Sequence, residues 1–300
     1  MAEGTAAHRD FADRKHASGQ WHTRTVYGIS RPIRAGASFV SSKRWGVDLL
    51  ARVGPKNGIT VDFGAGQGAY AHWFSSVNKG TVVAIDLSFE ALRRQPPLQN
   101  GTLLRLCADG HHLPLKAACA DALYSIDTLG HVADPAKVLD EILRVVKPGA
   151  RLFLHSECSD YRDRWPDRML IRRLGYDLLA RHDGHVSLLP AAMLRTLVAR
   201  RFLIDRIWSP AGLTGWLTGY PEKYQRVFGE ARCRAPALLT AVFAFVKNAP
   251  VAGLLLRLLN ASLNHLEIAL GIQGGGSVFM LLRKPMENGG RDAPAAGETP

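Results

Sequence analysis

Short apolar runs alternate along residues 59–208 with segments whose apolar side chains return every three or four positions. Residues 59–61, 81–86, 102–107, 121–126 and 151–155 are the runs, and they read as β-strands. A continuous run such as Thr81–Asp86 suits a parallel strand buried on both faces. Between the runs lie helical patterns. Residues 41–53 fit a helix with Ser41 or Ser42 as N-cap and Trp45, Leu49 and Leu50 on one face. Ala69–Val77 is a second. A third starts with Asp134 as N-cap and Pro135 in its first turn, carries the stripe Val138, Leu139, Ile142, Leu143 and Val146, and stops at Lys147-Pro148-Gly149. Strands alternating with helices indicate an α/β fold built on a parallel sheet. Further on, residues 161–182 read as an arginine-rich helix, 191–200 as a helix, 202–208 as a strand and 277–282 as the last strand.

The chemistry concentrates where the first strand ends, at Val61-Asp62-Phe63-Gly64-Ala65-Gly66-Gln67-Gly68. A tight turn after a strand needs positive φ, which glycine adopts without a Cβ clash. The helix that follows offers free N–H groups to an anionic ligand group. Gly64 to Ala69 fits the dinucleotide pattern G-x-G-x-x-G/A, with Asp86 at about the 20-residue spacing that pattern carries. The same residues fit D-x-G-x-G-x-G, which resembles motif I of class I S-adenosylmethionine (SAM)-dependent methyltransferases. Asp62 favours the second reading, because a carboxylate at the strand end repels a pyrophosphate and attracts an ammonium or a sulfonium. Asp86, at the end of its strand, is placed to accept both hydroxyls of a ribose; the alternative is an Asp capping the helix SFEALRR. Asp109, after the third strand, is otherwise a plain turn residue.

From 59 to 155 the resemblance widens. The pieces VDFGAGQG, VVAID, CADGHHLPL, LYSIDTLGHV and EILRVVKPGARLFL stand in the order and spacing of a UbiE/COQ5-like (methyltransferase type 11) SAM methyltransferase domain. Val146 and Ala150 replace a Leu and a Gly of the family's last signature. The resemblance implies a Rossmann-like doubly wound seven-stranded sheet in the order 3-2-1-4-5-7-6, with strand seven antiparallel. It implies SAM as cofactor, held by Asp62, Gly64, Ala65, Gly66, Gly68, Asp86, Leu87, Ala108, Asp109, Gly110 and Asp127. Asp109 would then sit beside the adenine.

Composition sharpens the picture around this core. The chain has 300 residues and four cysteines without a C-x-x-C pair, so disulfides and structural zinc are not expected and a reducing, cytoplasmic setting is. The first residues lack an apolar h-region of the secretory type. The formal charge of +12 lies outside residues 61–155, where nine basic residues meet nine acidic ones. The basic flanks suit an anionic partner or a solvated surface in equal measure. Residues 1–40 read as a basic, partly disordered segment, its first ~20 residues without order; 41–208 as the SAM-binding core; 277–284 as the final core strand; and 285–300 as a disordered tail.

That leaves 209–276 as an apolar insertion between strands six and seven. Its segments 235–246, 251–259 and 268–272 are apolar but broken by Lys247, Arg257 and Glu267, and none reaches the ~20 residues of a membrane span. About three helices are expected, as a lid on a greasy substrate pocket, as a peripheral contact with the inner face of a membrane, or as packing.

Methyl transfer from a sulfonium is an in-line displacement, so a base is needed only for a protonated acceptor. His131 and His155, near the ends of strands four and five, are the candidate bases, with His111, His112 and His185 behind them. No metal-ligand set is evident. The expected activity is methylation of a small, apolar or lipid-like acceptor. The alternatives are a tRNA or other macromolecule methyltransferase, an NAD-binding oxidoreductase using the same loop, and an inactive SAM-fold scaffold. Nucleic acid is not expected as a partner, because no RNA-binding module is recognisable.

Overall fold

The computed structural model describes residues 2–18, 42–98, 100–163, 167–177, 180, 183–210, 241, 250–272, 274 and 276–286. Seven strands form one sheet: β1 (Ile59–Phe63), β2 (Thr81–Asp86), β3 (Thr102–Cys107), β4 (Ala120–Ile126), β5 (Val146–Glu157), β6 (Leu203–Trp208) and β7 (Ser277–Arg283). Their order is β3-β2-β1-β4-β5-β7-β6, as the resemblance implied. β1 to β5 run parallel, and β7 lies antiparallel between β5 and β6, with Phe279 opposite both His155 and Trp208.

Because side chains alternate along a strand, the sheet has two apolar faces. Val61, Phe63, Val83, Ile85, Leu123, Leu152 and Leu154 cover one. Against them pack α5 (Pro135–Val145) and α7 (Ala191–Ala199) through Val138, Leu139, Ile142, Leu194 and Val198. The other face carries Ala122, Tyr124, Phe153 and Leu281, covered by α2 (Ser42–Val53) and α3 (Ala69–Val77) through Val47, Leu50, Ala71, Trp73 and Phe74. The sheet is therefore sandwiched between helices, and only its strand ends can hold a ligand.

Three elements differ from the sequence expectation. Val146 begins β5 instead of closing the stripe of α5, because it pairs with Ala120 across an irregular register. The carbonyls freed at that helix end are bonded by Lys284 Nζ, which donates to Leu143 O and Val146 O at 2.9 Å. The arginine-rich stretch is not one continuous helix: a 3-10 turn (Ser159–Asp163) precedes α6 (Asp167–Leu174), which Gly175 ends with φ +75°.

The third is the N-terminus. Ala2–Ala17 form a helix, α1, which corrects the reading of the first residues as unordered. Its apolar residues are few, so its order comes from docking and not from a stripe. Asp13 accepts hydrogen bonds from Ser88 Oγ and, at 3.2 Å, from Glu90 N at the start of α4 (Phe89–Arg93), and Arg94 donates to His16 O at 3.1 Å. Of the remaining expectations, residues 19–41, 211–240, 242–249 and 287–300 lie outside the described residues. Within the insertion, α8 (Pro250–Ala269) is one 20-residue helix covering the second apolar segment and the start of the third. It touches the core through Ala261 and through His265, which meets the Trp45 ring edge-on at 5.1 Å. No helix among the described residues is long and apolar enough to cross a membrane.

Candidate active site

Beyond β1 the chain turns through Gly64, with φ +74°, and Gly66, with φ +51°. A Cβ on Gly64 would fall 2.0 Å from Thr128 Oγ1, which itself donates to Phe63 O at 3.1 Å. Glycine is thus demanded twice at that position, by φ and by close packing. Gly66 is different. The nearest heavy atom to a Cβ there is His16 Cε1 at 3.7 Å, so the loop's outer face is open enough for a ligand to lie against backbone. The loop is tied to the neighbouring strand end. Gly64 N and Ala65 N donate to Ile85 O at 2.8 and 2.9 Å, Gly66 N donates to Asp86 Oδ2 at 2.8 Å, and Gln95 Nε2 donates to Gly66 O at 2.7 Å.

Asp86 is therefore held from both sides, since its Oδ1 accepts from Ser88 N at 2.8 Å. The helix-cap alternative for Asp86 is excluded: Ser88 is the N-cap of α4, its Oγ accepting from Ala91 N at 3.1 Å. Burial raises the Asp86 pKa, while the Ser88 and Gly66 amides pull it back. Ala108 N donates to Asp86 O at 3.0 Å, and Cys107 Sγ lies 3.5 Å from Leu87 O, so Leu87 and Ala108 meet where β2 and β3 end. Asp109 Oδ1 accepts from His111 N at 3.0 Å and from His111 Nδ1 at 2.6 Å. His111 Nε2 accepts from Asp134 N at 3.1 Å, which places the ring proton on Nδ1 and makes His111 an orienting group for Asp109. Gly110 packs on Phe63, whose ring would be 2.5 Å from a Cβ there.

Under the loop lies Asp62, buried and paired in register with Tyr124. Its Oδ2 has no hydrogen-bond partner among the described residues, nor has the Tyr124 hydroxyl, although the two side chains influence each other. Burial pushes the Asp62 pKa up to about 8, against a lowering by Tyr124, and the Asp86 charge raises it further. A buried carboxylate lacking a partner is costly unless a cation or a proton joins it.

At the end of β4, Asp127 takes φ +60° and is gripped by two elements. Lys43 of α2 bonds its Oδ2, and His155 Nδ1 lies 2.8 Å from its Oδ1 in ion-pair contact without good hydrogen-bond geometry. Burial alone would raise the Asp127 pKa, but Lys43 and His155 together hold it well below the usual range. His155 is buried, its ring 4.3 Å from Phe279. Its Nδ1 faces Asp127 and not an open pocket, and burial lowers its own pKa.

His131 is set differently, in a 3-10 turn at Leu129–His131. Its Nδ1 lies 3.3 Å from Gly184 O, its ring stacks on His185 at 4.5 Å, and His8 of α1 is 5.9 Å away. Burial, then the neighbouring His185 and His8, lowers its pKa to about 4, so it is neutral at physiological pH. The sequence reading missed α1 altogether. One end of that helix lies at the glycine loop, where His16 Nδ1 is 3.4 Å from Gln67 Nε2, and its middle meets His131 through His8. No residue pattern in 2–17 announces this; the only signal is the pair His8 and His16, eight positions apart.

Comparisons with known proteins agree with this geometry. Residues 61–154 match the methyltransferase domain family. An O-methyltransferase of Pyrenophora dematioidea is 29% identical over 119 residues, 38% of this chain and 45% of that protein. A ubiquinone biosynthesis O-methyltransferase of Sodalis glossinidius is 26% identical over 187 residues, 60% of this chain and 67% of that protein. A solved phosphoethanolamine N-methyltransferase 2 of Haemonchus contortus, in complex with phosphomonomethylethanolamine and S-adenosylhomocysteine, superposes with a TM-score of 0.57 at 16% identity, over 93% of this chain and 60% of that one. The chain spans less than half the length of the first of these relatives. Fold, glycine loop, strand-end carboxylates and family match converge on one statement: the chain carries a class I methyltransferase domain, of the kind whose cofactor is SAM, over residues 61–154.

Proposed function

We propose that the protein is a SAM-dependent methyltransferase acting on a small, apolar or lipid-like acceptor. The observation that carries the reading is the buried Asp62 carboxylate, which has the Tyr124 hydroxyl beside it and whose Oδ2 closes no hydrogen bond of good geometry, near the open backbone of Gly66 and with Asp86 fixed at the next strand end. An NAD pyrophosphate has no use for that carboxylate, whereas a ligand bearing an ammonium and a sulfonium does. SAM, when bound, would supply an activated methyl on positively charged sulfur.

The chain's part is to orient and to exclude water. Gly64, Ala65, Gly66 and Gly68 form the backbone wall for the amino-acid portion, and Asp86 accepts from the ribose hydroxyls through lone pairs left by its two amide bonds. Asp109, fixed by His111, faces the adenine side, with Leu87, Ala108 and Gly110 around it. Asp127, charged because Lys43 and His155 keep it so, adds a carboxylate on the sulfonium side. Holding two reactants in line is worth about 7–11 kcal/mol in model systems, so these contacts can supply most of the acceleration.

His131 is the proposed base. Its Nδ1 edge faces Gly184 O, so the Nε2 edge would take the proton. Its weak basicity suits an acceptor that loses its proton as the methyl arrives and not before. Among the relatives, acceptors on oxygen and on nitrogen both occur. The insertion, with the exposed Leu255, Leu259 and Leu266 of α8, is the proposed lid or membrane-facing surface. A macromolecular acceptor has less support, since the core is electrically neutral.

Calorimetry with SAM, S-adenosylhomocysteine and NAD tests the reading. Saturable binding of the first two is expected. Binding of NAD alone would overturn it.

A further inference from the structure

A second group of ligating side chains lies beside His131 and has no part in the scheme above. Glu157 ends β5, while Asp183 and His185 flank Gly184, whose φ is +74°. One ligand atom from each of the three lies within 4.8 Å of the others. No local pattern announces it, because 26 positions separate Glu157 from Asp183. Only the return of the chain from α6 to the sheet end brings them together.

The imidazole is what marks the group as more than two acids near each other. The His185 side chain is only 5% exposed. Its ring is clamped between the His131 stack and Gly130, where a Cβ would lie 2.9 Å from His185 Cδ2. Its Nδ1 is buried with no hydrogen-bond partner among the described residues, and its Nε2 stands 3.4 Å from Glu157 Oε2. The nitrogen that faces the carboxylate is Nε2, and no hydrogen bond closes the 3.4 Å to Glu157 Oε2, which leaves a span that one body between them would fill. The spacing fits one: two ligands about 2.1 Å from a single ion at a tetrahedral angle stand about 3.4 Å apart.

We propose that Glu157, Asp183 and His185 form a divalent-cation site beside the acceptor pocket. One imidazole with two carboxylates suits Mn²⁺ or Zn²⁺ better than Mg²⁺, which prefers oxygen alone. Three protein ligands leave coordination positions open, as catalytic sites do. A hydroxyl-bearing acceptor placed there would have its oxygen polarised. Its proton passes to His131 or to water, its oxygen bonds the methyl carbon, the carbon–sulfur bond breaks, and that electron pair returns to sulfur. This role rests on the methyltransferase reading, whereas the site itself does not.

The test uses the full, untagged, metal-stripped chain titrated calorimetrically with MnCl₂ and with ZnCl₂, beside Glu157→Gln, Asp183→Asn and His185→Gln, with SAM affinity and thermal melting measured in parallel. One equivalent is expected to bind the wild type, and each variant should bind at least about tenfold more weakly, since even outer groups of metal sites cost that much. SAM affinity should be unchanged in the two carboxylate variants, which keeps the result readable should His185→Gln fail to fold. No saturable binding of either metal, or carboxylate variants with wild-type affinity, overturns the site. Loss of SAM binding in the wild type would instead overturn the methyltransferase reading and leave the metal result standing.

Discussion

Lys43 and His155 hold opposite oxygens of Asp127, one reaching down from α2 and the other up from β5. The carboxylate thus joins a helix to the sheet at the strand end where the cofactor is proposed to lie. Asp127→Asn would leave Lys43 without its counter-charge and His155 without the carboxylate it faces. About a third of the Asp127 side chain is exposed, so water offsets part of the loss, and we expect a destabilisation of about 1–3 kcal/mol. The sign with pH follows from the direction of the shift. A carboxylate held well below its unfolded pKa of about 4 stabilises the fold above that value, and the contribution fades as pH falls through the folded pKa. Denaturant titrations should show wild type and variant converging toward acid; a gap that stays constant below pH ~3 would contradict the ion-pair account.

Asp62 behaves in the opposite sense. With its pKa near 8, it carries a proton at pH 7 in the ligand-free protein. A cationic ligand beside it should pull the pKa down and release that proton. SAM binding at pH 6.5–7.5 should therefore liberate up to about one proton, read as a dependence of calorimetric enthalpy on buffer ionisation, and affinity should rise toward pH 8. Asp62→Asn should abolish the release. Equal proton counts in the variant and the wild type would place the titrating group elsewhere.

Asp86→Ala removes a carboxylate that orders Gly66 and is proposed to bind ribose. Charge-assisted hydrogen bonds are worth about 1.5–3 kcal/mol each, so SAM affinity should fall at least about tenfold. Wild-type affinity in this variant would remove the ribose assignment.

The extent to which the sequence carried these conclusions differs by element. β2 and β3 match their expected limits; for β2 the reason is that a run such as TVVAID has one way to be buried between two helical layers, whereas β3 is a largely exposed edge strand bounded by its turns. The strand-end acids Asp62, Asp86 and Asp109 were legible because a turn pattern reports local backbone geometry. Val146 was misread, since one apolar residue serves a helix stripe and a strand start equally well, and only the pairing with Ala120 decides. Pairings across long separations left no trace. The Lys43–Asp127–His155 group, the His8–His131–His185 stack and the Asp13–Ser88 bond each join residues that nothing in the local order relates.

The N-terminal helix yields a prediction of its own. Its contacts include the Asp13 and Arg94 hydrogen bonds at α4, the ring contact with His131, the buried Ala12 and the packing of Phe11 on Gly184, so deleting residues 1–18 should lower the melting temperature modestly without unfolding the sheet. It should speed SAM release, because His16 stands over Gly66 on the face of the loop proposed to meet the cofactor. Stopped-flow displacement should show release faster by about tenfold, the effect of losing about 1.4 kcal/mol of contact. Identical release rates would make α1 a packing element without a gating role.

The insertion can be removed without touching the sheet. Trp208 and Phe279 already pair across β6 and β7, and Ser209 Oγ donates to Ser277 O at 2.7 Å, so the two ends of the segment are neighbours. A two-residue Asn-Gly turn can close such a hairpin. Joining the strands in place of residues 209–276 exposes the edge of Trp45 that His265 covers and the core surface under Ile268, and removes Gly276 O as acceptor for Cys158 N, costs that lie away from the glycine loop. SAM binding should therefore survive, while methylation of an apolar acceptor should be lost if the segment, including α8, builds the acceptor wall. A truncated protein that methylates at the full rate would reduce the insertion to packing and leave the apolar-acceptor reading without its main support. Liposome flotation of the full chain separates the remaining versions. Co-migration with anionic vesicles supports a membrane-facing role for the exposed Leu255, Leu259 and Leu266, and its absence leaves only a lid over the pocket.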